Sequence, residues 1–122
     1  MDIQALIKDL DGLDVETDPK IVQRKSRDCY YFSPILKDEL DGVTGDLIVT
    51  PKDEGEVVRT IAACYRHDVP VTTRGAGTGN YGQAMPLSGG VILNLAAMNK
   101  VKSITPGRVV CCLLYTSDAA DD

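Results

Sequence analysis

The sequence predicts an α+β fold built on a small parallel β-α-β unit with further strands. Three observations carry this. Leu47-Ile48-Val49 is a short apolar run closed by Pro51, the length of a buried strand. Asp53 and Glu56 stand as N-cap and N3 of a capping box, and Val57, Val58, Ile61, Ala62 and Tyr65 then repeat at helical spacing to about Arg66. Val71-Thr72-Thr73 returns as a second strand, parallel to the first because a helix intervenes.

Ahead of this unit, Ile3, Leu6, Ile7 and Leu10 recur at helical spacing behind Asp2 as N-cap, and Gly12 ends the helix. From Val15 to Tyr31 the chain is polar and mixed in charge, which reads as an extended arm with the aromatics Tyr30, Tyr31 and Phe32 buried against the domain. After the unit, Val91 to Leu95 is apolar throughout and should be a central strand covered on both faces. Met98, Val101 and Ile104 should continue the core, Pro106-Gly107 should turn, and Arg108-Val109-Val110 should begin another strand. Three regions follow: a helix and arm over 1–45, the β-α-β region over 46–110, and a tail over 111–122. The tail matches nothing before it and is expected to be a non-native end on a truncated chain.

Composition excludes more than it identifies. Hydrophobic residues make up 43% and charged residues 25% of the 122, ordinary for a water-soluble domain. Net charge is -5, and without Asp118, Asp121 and Asp122 of the tail 13 basic residues face 15 acidic ones, so no nucleic-acid partner is expected. No run approaches the length of a membrane-spanning helix, and the first ten residues do not form a secretory signal. Cys29, Cys64, Cys111 and Cys112 have neither C-x-x-C pairing nor a histidine at zinc spacing, so they read as reduced thiols of a cytoplasmic protein with no metal site. Cys64 belongs to the helix interior. His67, the sole histidine, falls in the last helical turn, where the helix dipole favours an imidazolium, so it reads as structural.

The chemistry concentrates between Pro70 and Gly90, PVTTRGAGTGNYGQAMPLSGG, where six glycines follow a β-branched strand. Such a run packs no core of its own; it lets main-chain N–H groups close on an anion. Gly77-Thr78-Gly79-Asn80-Tyr81-Gly82 satisfies G-x-G-x-x-G, but Pro86 and Ser88-Gly89-Gly90 forbid the helix a dinucleotide fingerprint must open, and no acid stands about twenty residues on. The nucleotide-triphosphate loop fails too, because Gln83 occupies the place of its lysine. An unliganded surface loop is the remaining plain alternative.

Pro70 to Gly79, with Gly82-Gln83, Pro86-Leu87 and Gly90 to Leu95 behind it, resembles the flavin-binding module of the vanillyl-alcohol oxidase and PCMH-type superfamily. It resembles in particular the glycolate oxidase subunits and D-lactate dehydrogenases. The resemblance runs from about Asp46 to Ile104 and implies the first half of a PCMH-type FAD-binding domain. It implies that Gly75, Ala76, Gly77, Thr78, Gly79 and Asn80 wrap the FAD diphosphate, with Thr78 able to add a hydroxyl hydrogen bond. Arg74 either contacts phosphate or braces the loop. Gly82, Gln83 and Pro86 are expected nearer the ribityl and ring end. Some relatives attach flavin through a histidine where Thr78 stands, so non-covalent FAD is expected here.

The resemblance further implies an oxidoreductase acting on a small-molecule 2-hydroxy acid, of glycolate or D-lactate type, with an electron acceptor that the sequence does not specify. It also leaves room for peripheral membrane association of the parent protein. No catalytic residue is assigned, because the family places its acid-binding and base residues later in the chain. The alternative is a non-catalytic nucleotide-binding module or an inert truncated fragment.

Overall fold

The computed structural model describes residues 1–112. The expected tail lies, from residue 113 on, outside the described residues.

Strands β1 (Val15–Glu16), β2 (Leu47–Val49), β3 (Val71–Arg74) and β4 (Val91–Asn94) form a sheet in the order β1-β2-β4-β3. Strands β2 and β3 both pair in parallel with β4, and β1 adds antiparallel at the edge beside β2. The β-α-β unit is therefore present, with β4 inserted between its two strands. Every residue of β2 and β4 is buried, which their uninterrupted apolar runs require of strands covered on both faces.

Successive side chains alternate across the sheet. Leu47, Val49 and Val91 pack with Leu6 of helix α1 (Ile3–Asp9), with Leu10 at its C-cap, and with Ala63 and Cys64 of the long helix that follows β2. Ile48 and Ile92 face the other way and pack on Val22 of helix α2 (Pro19–Lys25). Each such buried aliphatic side chain contributes on the order of 1.5–3 kcal/mol.

The two helices legible in the sequence end where their caps dictate. The Asp2 carboxylate accepts from the Ala5 N–H at 3.1 Å to start α1. The helix after α2 is α3 (Pro34–Leu40), and the long helix after β2 is α4 (Glu54–Arg66). Asp53 caps α4 by accepting from the Glu56 N–H at 2.9 Å, and the Glu56 carboxylate reaches back to the Lys52 N–H at 2.7 Å. His67 caps its C-terminus, with Nε2 2.7 Å from Asp9 on α1. It is a structural tie, as its position implied. Cys64 is buried in α4, and burial pushes its thiol pKa up.

Two expectations are corrected. The stretch read as an extended arm is largely helical: α2, a 3-10 turn at Tyr30–Phe32, and α3. Asp18 and Ser33 cap α2 and α3, and each is followed by a proline whose fixed φ suits the first helical position. Of its aromatics only Tyr30 is buried, while Tyr31 and Phe32 are exposed. The Tyr30 hydroxyl donates to Asp41 at 2.7 Å. Burial, and then that bond, push the phenol's pKa up, so it stays a donor. The second correction concerns β5 (Val101–Thr105) and β6 (Arg108–Cys111), which form a separate antiparallel hairpin. Val101 and Ile104 are exposed on it instead of extending the core, because β5 pairs only with β6 and never joins the four-stranded sheet.

Candidate functional site

Strand β3 leaves the sheet at Arg74, in register with Asn94 of β4, and no helix intervenes before β4 begins at Val91. The glycine-rich loop therefore emerges at the carboxyl end of a parallel strand, where ligands of such sheets bind. The helix that a dinucleotide fingerprint requires is absent, as Pro86 predicted.

Along the loop Gly75, Gly77 and Gly79 are half-buried, whereas Ala76, Thr78 and Asn80 are exposed. Among the described residues, the main-chain N–H groups of Ala76 to Asn80 donate to no protein atom. Successive free amides of this kind form a concave donor surface for an anion. Gly77 has φ of 72°, and a Cβ there would collide with the Arg74 guanidinium. The missing side chain thus makes room for the arginine beneath the loop.

Arg74 itself braces. Its guanidinium donates to the carbonyl of Lys25 at 3.2 Å and to that of Arg27, tying the loop to the end of α2. Burial pulls its pKa down, opposed by the nearby Asp28 charge. The cation remains charged at neutral pH and lies directly behind the free amides. A second tie is the Cys29 N–H donating to the Gly79 carbonyl at 2.8 Å.

Gln83 folds back, accepting from the Tyr81 N–H at 3.0 Å. Together with Val71, Thr73, Met85 and Ser88 it lines an open cleft of about 510 Å³ running alongside β3. Gly82 is half-buried next to Leu40 of α3. Pro86 is fully buried, and its carbonyl accepts from the Gly89 N–H at 3.0 Å, closing the turn before β4. Arg74 and Gly79 are thus tied to the chain after α2, Gln83 closes on Tyr81, and Pro86 is buried in the turn that follows. Sequence reasoning missed the far wall, residues Lys25 to Tyr30, because nothing local marks a contact with a loop so distant in the chain. No group of three or more metal-ligating side chains occurs among the described residues. No helix there is long and apolar enough to cross a membrane.

The chain matches the family described as FAD binding domain over residues 45–112. It belongs to that family. FAD is accordingly the cofactor of this FAD binding domain, and the residues present fit it: free amides for phosphate charge, and a cation seated where a Cβ at Gly77 would otherwise stand. Among curated proteins, the domain is 42% identical over 77 residues to the glycolate oxidase subunit GlcD of Escherichia coli K12, covering 59% of this chain and 15% of that protein. It is 36% identical over 56 residues to a D-lactate dehydrogenase of Anaerostipes hadrus, covering 46% of this chain and 12% of that one. Its fold superimposes on alkyldihydroxyacetonephosphate synthase with a TM-score of 0.71 at 20% identity, covering 88% of this chain and 21% of the other. The chain therefore spans about one seventh of the GlcD length.

Proposed function

We propose that the loop from Arg74 to Gly82 holds the FAD diphosphate through its main-chain amides, in a flavin oxidoreductase that oxidises a small 2-hydroxy acid of glycolate or D-lactate type. The observation that carries the first part is the run of unpaired N–H groups from Ala76 to Asn80 above the half-buried Arg74 guanidinium. Successive unpaired amides in a glycine-rich turn are the donors that suit two adjacent phosphates. The exposed Thr78 hydroxyl is a further donor available to the diphosphate. Gln83 and the cleft beside β3 take the sugar and ring end of the cofactor.

FAD, when bound, supplies a ring that accepts a hydride. This chain's part is to hold and orient: Arg74 offsets phosphate charge from behind while fixing the loop to α2, and Gln83 keeps the Tyr81 end of the loop folded. Binding is non-covalent, since Thr78 is no attachment point and His67 is engaged with Asp9. Residues 46–110 form the first half of the FAD-binding domain, and we assign no catalytic residue within them. The acid substrate is supported by the likeness to GlcD and D-lactate dehydrogenase.

The test is titration of the purified chain with FAD, followed by quenching of flavin fluorescence, then denaturation and filtration. Saturable quenching with all flavin released on denaturation is the expected result. Absence of binding, or flavin that stays with the denatured chain, contradicts it. For the substrate, the FAD-loaded protein carrying these residues in a chain of GlcD length should lose its yellow colour anaerobically on addition of glycolate or D-lactate, and retention of colour with both rejects that class.

A further inference from the structure

The residues between α2 and the 3-10 turn at Tyr30–Phe32 contain a group that the fold leaves unexplained. Asp28 is 4% exposed, a burial rare for an aspartate. Its Oδ1 accepts from the Tyr30 N–H at 2.8 Å. Its Oδ2 is fully buried and, among the described residues, has no hydrogen-bond partner. That oxygen lies behind the glycine loop: a Cβ added to Gly79 would stand 3.4 Å from it. The next residue, Cys29, is itself pinned to Gly79 by its N–H.

A carboxylate oxygen stripped of water and given no donor is costly, so the fold bears this group at a loss unless something supplies a donor. The Gln83 carboxamide fills the space beside Gly79, where a Cβ would stand 2.6 Å from its Oε1, so a donor reaches the Asp28 oxygen when that side chain swings aside. We propose that Asp28 is a further binding residue of the FAD site, accepting a hydrogen bond from a sugar hydroxyl of the cofactor; this rests on the loop holding the FAD diphosphate. The chemistry selects the hydroxyl. Phosphates ionised at neutral pH offer no proton and are repelled by a carboxylate, whereas hydroxyls of the two sugar chains flank the diphosphate on either side. Arg74 and Asp28 then divide the work beneath one loop, the cation toward phosphate and the anion toward sugar.

The test uses D28N in the full chain, because the amide keeps the shape and the acceptor for the Tyr30 N–H while replacing the free oxygen with a donor. Two quantities are read: the melting temperature of the cofactor-free chain and its FAD dissociation constant. The expected result splits them. The apo variant melts close to the wild-type temperature, since the carboxylate's desolvation cost and its attraction to Arg74 are lost together, while FAD binds at least about tenfold more weakly. Unchanged FAD affinity overturns the proposal. So does a parallel fall in apo stability and affinity, which marks Asp28 as scaffold only. Failure of the wild-type chain to bind FAD rejects the loop assignment itself, and is thereby distinct from failure of Asp28's role.

Discussion

The two ends of β3 use glycine to opposite effect. At the entry, Gly90 (φ 81°) closes the sheet: its N–H donates to Asp46 at 2.6 Å, its carbonyl accepts from the Asp46 N–H at 2.8 Å, and a Cβ there would run into the Pro70 carbonyl. At the exit, Gly77 has nearly the same backbone twist, yet the amides around it are unpaired and its missing Cβ admits only a movable side chain, Arg74. A fold satisfies its buried main-chain groups wherever it can. The exit leaves its amides unmet, which suits the ligand role proposed for it, and the entry pairs the amides of Gly89, Gly90 and Val91, which holds the strands together.

Substitutions at the two ends should therefore separate stability from binding. The largest effect belongs to Gly90→Ala, where strained φ adds to a clash with rigid backbone; a loss of about 3–5 kcal/mol is expected in chemical denaturation. Gly77→Ala should cost only about 1–2 kcal/mol of stability, because the guanidinium can swing away. It should nevertheless weaken FAD at least about tenfold in a fluorescence titration, as the arginine leaves its place behind the amides. Comparable losses of stability at both glycines would erase the distinction between the two ends.

Arg74→Lys sharpens the exit end. Lysine keeps the charge but not the planar fork that reaches two carbonyls, so about 1 kcal/mol of stability and several-fold of FAD affinity should go together. Wild-type values for both would remove the bracing role.

The smallest effect lies away from both ends, between α1 and α4. The hydrogen bond from His67, aided by Arg66, holds the Asp9 carboxyl below its usual range. Folded Asp9 thus binds a proton more weakly than unfolded Asp9. The stabilisation is present above the ordinary aspartate range and is lost as pH falls through it toward the folded value. His67→Ala should lower the denaturation midpoint slightly near neutral pH and leave it unchanged once Asp9 is protonated, with FAD binding untouched. A change in FAD affinity would contradict the separation of this tie from the loop.

What the sequence discloses follows the range of each interaction. Helix α4 is legible because Asp53, Glu56 and its apolar stripe act within a few residues of one another. The glycine loop is legible because conformational freedom belongs to the residue itself. Helices α2 and α3 carry equally local signals, Asp18-Pro19 and Ser33-Pro34, but their short polar turns lack the apolar stripe that marks α4. The insertion of β4 between β2 and β3, and the placing of Asp28 behind Gly79, depend on contacts distant in sequence, and no local pattern encodes them. Val101 and Ile104 show the converse limit: apolar identity does not say whether another element covers the residue.

The central claim is that the loop's own amides meet the FAD diphosphate, and it is tested most directly by following the backbone amide resonances of the isotope-labelled chain during FAD titration. The largest shifts should fall on Ala76 to Asn80, with Asp46 and Gly90 nearly still. Shifts confined to the hairpin or to α4, or a loop whose amides ignore saturating FAD, would contradict it.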